Sequence, residues 1–371
     1  MVGTRPEVVK MAPLVARLQR EGSGFVVRVV STGQHRGLLD QALSDFGIKA
    51  DVDLALMQPN QGLADLTARA LTALGGRFAA APADLVLAQG DTTTVLATAL
   101  ACHYQRIPFG HVEAGLRTGD PYQPFPEEKN RELADHLAEL HFAPTPWARA
   151  NLVREGIPEA GIHVTGNTVI DALQAVAERN PPLPLRPATA RFLLVTAHRR
   201  ESFGAPLGRV VAALGDLVAR HDGLSVVFPM HPNPNVRAAV GVLEGHPRIH
   251  LIEPVAYPCF VALLKAAFAI LTDSGGVQEE APAFGRPVLV LRETTERPEG
   301  IEAGAVQLVG TDRRAIVAAV EELLARPERA GRALNPYGDG WASERIVRVL
   351  CSRFGIDPGP EPSGYSARWP R

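Results

Sequence analysis

Carboxylates, histidines and cations recur in this sequence at one kind of place, directly after a short apolar run. Asp91 follows residues 85–89, Glu113 follows 108–112, His198 follows 192–196 and His231 follows 225–228. Ser274 follows 267–272, Arg292 with Glu293 follows 288–291, and Gln34 with His35 follows 25–31. Glu113 is the most informative, because an apolar strand giving way to Ala114-Gly115 is an unfavourable place for a carboxylate without a partner. Asp91, Glu113 and Glu127, brought to one cleft, would supply a general acid and a general base, their proton affinities set apart by burial and mutual repulsion. Asp91 has a plainer use as a helix cap. Glu127 and Glu128 open a helix after Pro126, where acidic charge suits the dipole, and for Glu128 that plainer reading is adopted. His198, followed by Arg199, Arg200 and Glu201, is placed for contact with a phosphate or a leaving group. His231 and His35 carry no assignment by themselves.

A second kind of chemistry lies in residues 271–287, LTDSGGVQEEAPAFGRP. This stretch reads as a strand end, a turn, and a helix from about Val277. Gly275 and Gly276 let the backbone approach a ligand, and the free N–H groups of a new helix form a seat for phosphate. The same Asp273-Ser274 would equally serve as an ordinary helix start. Glu280, one turn in, would reach a neighbouring sugar diol. Arg5 and Lys10, at the start of the first helix, run against its dipole. By themselves they read as two solvated surface charges; the functional alternative is an anion-binding pair, the arginine by its fork and the lysine as a point charge. His111-x-Glu113 has metal-ligand types but no second ligand cluster, so no metal is assigned. GxGxxG is absent after every identifiable strand, so no dinucleotide cofactor is expected.

Strands of four to seven residues alternate with helices, which predicts an α/β fold with parallel sheets and right-handed crossovers. Ligands bind such sheets at the carboxyl ends of the strands, so the polar clusters define one shared site. Two such blocks, joined near the proline-rich residues 181–187, predict two doubly wound Rossmann-like domains facing across a cleft. With 371 residues, each has enough chain for a full core. Apolar residues at 46% and charged residues at 21% fit a soluble globular protein, and a net charge of -2 gives no ground for expecting nucleic acid or an anionic membrane as partner. No apolar run approaches the roughly 18 residues of a bilayer span and no leader opens the chain, so a cytoplasmic location is expected. Cys102, Cys259 and Cys351 are too far apart in sequence to suggest a disulfide framework or a thiolate zinc site. Residues 355–371, rich in Pro, Gly and Ser, read as a loose appendage.

Taken together, the motifs GTRPEVVKMAPL, TGQHR, GDTTT, HVEAGLRTGD, PFPEEKNR, TAHRRESFG, HPNPNV, DSGGVQEEAPAFGRPVLVLRETTERPEG and NPYGDGWA resemble those of the non-hydrolysing UDP-N-acetylglucosamine 2-epimerases. The similarity runs in order over residues 2–350. It implies GT-B architecture, with residues 1–166 plus 342–354 forming the N-terminal domain, 167–341 the UDP-binding domain, and the helix 342–354 crossing back. It implies interconversion of UDP-GlcNAc and UDP-ManNAc without metal or nicotinamide, through elimination of UDP to 2-acetamidoglucal and re-addition, in the service of cell-surface polysaccharide. By match to the motifs, Asp91, Glu113 and Glu127 would be the catalytic carboxylates. Arg5, Lys10 and His198 would hold or protonate the diphosphate, Ser274, Gly275 and Gly276 would cradle it, and Glu280 would take the ribose hydroxyls. His231 and Arg292 join the substrate contacts, and a homodimer is implied. A hydrolysing epimerase, a GT-B glycosyltransferase and a non-catalytic nucleotide-sugar sensor are the alternatives.

Two departures stand out. The family carries several apolar residues ahead of GTRPE as a first central strand, where only Met1-Val2 stand here; this predicts either a misassigned start, the reading preferred, or a gap in the sheet. The positions that hold an activating second UDP-GlcNAc in some members are Gly37 and Asn60 here, so the resemblance does not carry that regulation over.

Overall fold

The computed structural model describes all residues except Gln34, His35, Pro59, Asn60, Arg200, Glu201, 327–334, Arg368 and Arg371, and the side chains of Arg36 and Leu38. The expectations placed on Gln34, His35, Asn60, Arg200 and Glu201 lie outside the described residues. The chain divides into two compact units, Met1–Ala172 with Tyr337–Arg371, and Leu173–Pro336. These passages lie within six residues of the expected junctions at 166/167 and 341/342.

The first unit runs α1 (Arg5–Leu18), β1 (Val30–Ser31), α2 (Arg36–Asp45), β2 (Val52–Asp53), α3 (Leu63–Ala80), β3 (Val86–Gln89), α4 (Thr93–Gln105), β4 (Phe109–Val112), α5 (Glu127–Leu137), β5 (Leu140–Ala143), α6 (Pro146–Arg154), β6 (Ile162–Val164) and α7 (Thr168–Glu178). Strands β3-β4-β5-β6 form one parallel sheet, and β1-β2 a separate parallel pair. Helix α1 begins with a capping box: Glu7 accepts from the Gly3 and Thr4 backbone N–H groups while Thr4 caps the third helical residue. Its apolar positions Val8, Met11, Leu14 and Leu18 recur at helical spacing and are buried together. Helix α3, weighed from sequence as either core or interface, buries Leu66, Ala70, Leu74 and Phe78 in the core of this unit.

The strand expected over 25–31 is paired only at Val30–Ser31, and the reason lies beside it. Val2 donates to Val30 O at 3.0 Å and accepts from Thr32 N at 3.0 Å, while the Met1 amino group donates to Leu87 O at 2.8 Å. Met1 and Val2 therefore bridge β1 and β3, and the interval there is one strand wide. Upstream of them the interval is a cavity of about 470 Å³, lined by apolar groups including Met11, Leu14, Phe25, Leu85 and Leu350. Val86 donates to Pro108 O, towards β4, so Leu85 and Leu87 turn their backbone groups into the cavity. An extension of four apolar residues ahead of Met1 is expected to enter as a parallel strand. Each buried aliphatic side chain contributes roughly 1.5–3 kcal/mol, against about 1–2 kcal/mol per residue for ordering the backbone. The melting temperature should rise by several degrees. Equal melting with a polar extension of the same length would show that the interval takes no strand.

The second unit runs β7 (Arg191–Thr196), α8 (Ala205–Arg220), β8 (Leu224–Pro229), α9 (Pro234–Val240), β9 (Ile249–Ile252), α10 (Tyr257–Ala266), β10 (Ala269–Thr272), α11 (Gly275–Glu280), β11 (Val288–Val290), α12 (Pro298–Glu302), β12 (Val306–Leu308) and α13 (Arg313–Ala325). Its six parallel strands lie in the order β12-β11-β10-β7-β8-β9. Both faces of the central strands are covered, so Leu193, Leu194, Val226, Val227, Ile270 and Leu271 are all buried and read as continuous apolar runs. The order reverses between β7 and β10, which opens a crevice at their carboxyl ends.

The chain returns to the first unit and ends in α14 (Ala342–Phe354). The start of α7 and the residue before it are tied to the returning chain: Asn167 N donates to Tyr337 O at 2.7 Å, and Asp171 accepts from Ala342 N at 3.1 Å and Ser343 N at 2.7 Å. Burial pushes the Asp171 carboxyl up to about 6 against the pull of those N–H groups. The folded value lies above the unfolded one, so the stability this group contributes is present at low pH and lost as pH rises through 6. Between pH 4 and 7 the wild type is expected to lose about 2 kcal/mol relative to Asp171→Asn. Denaturant titrations of both at each pH check this, and a constant difference would refute it.

Described residues of the segment 355–371, expected to be a loose appendage, contact the chain around α14. Arg345 donates to Ser366 O at 2.9 Å, Arg348 lies over the Tyr365 ring at 5.0 Å, and Tyr365 meets Trp341 edge-on at 6.0 Å. Two of these contacts are to arginines of α14 and the third to Trp341, the residue before it.

Candidate active site

In the first unit the ionisable residues stand at the carboxyl ends of β3 and β4 and at the start of α1. Gly3 brings the first turn against the third, since a β-carbon there would run into the hydroxyls of Thr94 and Thr32. Glu7 joins the same turns, because Thr92 donates to it at 2.6 Å; burial raises this carboxyl above its usual range against the effect of those hydrogen bonds. Glu113 adopts φ +68°, a left-handed conformation that turns it out of the strand line. Its buried carboxylate accepts from Lys10, from Gln89, and from Asn167 at 2.7 Å. The unpaired carboxylate that would be unfavourable there is thus met by one cation and two amides.

Asp91, about a third exposed, pairs with the buried Arg131 at 2.7 Å, and its backbone carbonyl accepts from Asn130 at 2.9 Å. Both partners come from α5, whose first residue is the half-buried Glu127. The three carboxylates therefore rest on two adjacent strand ends and one helix. Glu128 does not serve as a surface dipole charge. It is fully buried and accepts from Thr118 N at 2.8 Å and Gly119 N at 2.9 Å, holding the loop after β4. Arg5 is half-buried at the first position of α1. Lys10, one helical turn further in and 8% exposed, pairs with Glu113.

In the second unit, His198 and Ser274 flank the crevice where strand order reverses. Asp273, fully buried, accepts from the backbone N–H of His198 at 2.9 Å and of Arg199 at 2.9 Å, and lies 3.3 Å from the His198 ring. One carboxylate thus locks the turn after β7 to the turn after β10. The His198 and His231 rings stack at 5.5 Å. His231 Nδ1 accepts from Asn233 N at 3.2 Å. Gly275 packs on the Arg297 guanidinium, where any side chain would collide. Tyr257 donates to the Glu280 carboxylate at 2.9 Å and orients it. Arg292 pairs with Glu296 at 2.8 Å, and Arg297 joins Glu296 at 2.5 Å and Glu279 at 2.6 Å. Burial opposes the charge on Glu296, yet Arg297, Arg292 and Arg199 hold its carboxyl far below the usual range.

Gln89, Asn167, Arg131 and Glu7 escaped the sequence reading, and Asp273 has only a helix-start reading there. Asp273 and Arg131 lie inside motifs that had been singled out, but Asn167 precedes α7 with no local signal and reaches Glu113 only across the fold. His111 is unavailable to a metal, since both ring nitrogens are taken, by Asp135 at 2.6 Å and Gly90 O at 2.7 Å.

Two parallel α/β units with ionisable groups at the strand ends, one set astride a reversal of strand order, define the GT-B-like class built from two Rossmann-like units. The family model described as UDP-N-acetylglucosamine 2-epimerase matches residues 16–351. The UDP-N-acetylglucosamine 2-epimerase of Salmonella typhimurium is 52% identical over 365 residues, covering 94% of this chain and 97% of that protein. The Escherichia coli K12 enzyme of the same name is 50% identical over 363 residues, covering 94% and 96%. The crystal structure of UDP-GlcNAc 2-epimerase from Neisseria meningitidis bound to UDP-GlcNAc superposes with a TM-score of 0.89 at 44% identity, covering 95% of this chain and 98% of that one. This chain belongs to the UDP-N-acetylglucosamine 2-epimerase family.

Proposed function

We propose that the protein interconverts UDP-GlcNAc and UDP-ManNAc by the non-hydrolysing route. The observation that carries this is the pair of carboxylates on adjacent strand ends, Glu113 held by Lys10, Gln89 and Asn167, and Asp91 held by Arg131. No carbonyl stands beside C2 of the sugar, so removing its hydrogen requires that the C1–oxygen bond to UDP break as well. The products of that half-reaction are 2-acetamidoglucal and UDP. Protonation of C2 on the other face, with return of the UDP oxygen to C1, completes the inversion with atoms balanced.

In this reading Asp91, Glu113 and Glu127 move protons at the sugar. Arg5, Lys10 and His198 offset charge on the departing diphosphate, Lys10 also setting Glu113. Ser274, Gly275 and Gly276 offer backbone donors to the same group, Glu280 accepts from the ribose, and His231 and Arg292 complete the nucleotide site. A homodimer in the cytoplasm feeding polysaccharide synthesis follows from the family resemblance.

The experiment is incubation with UDP-GlcNAc in D2O. Deuterium at C2 of both nucleotide-linked sugars supports the proposal. Free N-acetylmannosamine would indicate hydrolysis, and the absence of exchange would defeat the epimerase reading.

A further inference from the structure

Beneath Asp91 and Glu113 lies a buried polar chain that the proposed reaction does not use. His111, on β4 and fully buried, contacts Asp135 Oδ1 through Nδ1 at 2.6 Å and Gly90 O through Nε2 at 2.7 Å. Both neighbours are acceptors. A neutral imidazole has one N–H and one lone pair, so either tautomer would set a lone pair against an oxygen. Only the doubly protonated ring donates at both ends. Asp135, on α5 and also fully buried, takes further donors on Oδ2, from Arg117 at 2.7 Å and Gly115 N at 3.2 Å.

The connections have a definite pattern. Gly90, at φ +86°, is the residue before Asp91; Gly115, at φ +87°, is two residues after Glu113. We propose that the His111–Asp135 pair is a positioning device, a two-ended donor and its carboxylate that together fix the turns carrying Asp91 and Glu113. This rests on the function proposed above.

The surrounding charges agree with the geometry. Burial works against a charged His111, but Asp135 and the Gly90 carbonyl outweigh it and raise its proton affinity. Burial likewise opposes the charge on Asp135, and His111 and Arg117 overcome it. The other groups turned towards the pair are Arg117, itself paired with Glu155 at 2.6 Å, and His141 on β5, which donates to the Asp135 carbonyl at 2.8 Å and which burial keeps short of a second proton. Phe109 stacks on the His111 ring at 6.0 Å and shields it from water.

Two measurements test this. Nitrogen-15 spectra of histidine-labelled protein, with His111 assigned through its backbone, should show both ring nitrogens protonated from pH 6 to 9. A ring that titrates near neutrality would overturn the proposal whether or not the protein is active. In Asp135→Asn the ring loses its counter-ion, so kcat should fall at least tenfold at pH 7 with KM changed less than threefold. A new loss of activity should also accompany rising pH between 6 and 8. In His111→Gln the loss should be similar but flat with pH. Wild-type kcat in folded Asp135→Asn would overturn the positioning role. A wild type without epimerase activity would sink the proposed function, and the spectrum would still decide the protonation of the ring.

Discussion

Replacing Glu113 by Gln is expected to lower kcat by about a hundred- to ten-thousand-fold, the usual contribution of a positioned proton-transfer group. The substitution keeps the length and planarity of the side chain but removes both its basicity and the counter-ion of Lys10. Among the described partners of Glu113 are three donors: the Lys10 ammonium and the side-chain amides of Gln89 and Asn167. A glutamine presents one oxygen and one NH2 to that set, so at least one donor meets another donor. Part of the loss is therefore structural, and a melting curve separates it from the chemical part. Titration with UDP should change little, because the groups proposed to bind it lie mostly on the second unit. A kcat within threefold of wild type would remove Glu113 from the proton-transfer role. Exchange from D2O into C2 should fall in parallel with kcat; if exchange survives while turnover is lost, Glu113 acts on the leaving group instead.

The second large effect is expected at Asp273. Its carboxylate is fully buried and accepts from the backbone of His198 and Arg199. Asp273→Ala leaves those two N–H groups without an acceptor at the bottom of the crevice. Each such orphan costs roughly 1–3 kcal/mol, so a total of about 2–6 kcal/mol is expected. For a unit of this size that is a drop of about 5–15 °C in melting temperature. The turn after β7 would also lose its tie to the turn after β10, and UDP binding should weaken at least tenfold by calorimetry. Asp273→Asn, which keeps one acceptor, should lie between the two. Wild-type melting and UDP affinity in the alanine variant would show that the turns are set independently of this carboxylate.

Ionisable residues placed directly after apolar runs were legible without a fold. Asp91, Glu113, His198, His231, Ser274 and Arg292 do stand at the carboxyl ends of parallel strands, because strand periodicity and turn chemistry are local properties. Strands β2, β5, β6, β9 and β12 escaped the reading; length does not separate them from β3, β4, β10 and β11, which are as short as most of them but stand directly before the polar clusters that marked their ends.

What the amino-acid order determined by itself was the alternation of strands and helices, the family, and which residue types wait at each strand end. The tertiary structure alone decided their partners. Lys10 turns to Glu113 and not outward, Arg131 grips Asp91, Asn167 arrives from 54 positions away, and Glu128 is buried beneath a loop. A buried charge must find its complement wherever the packed chain supplies one. That complement is set by the close approach of segments distant in sequence, which no local spacing encodes.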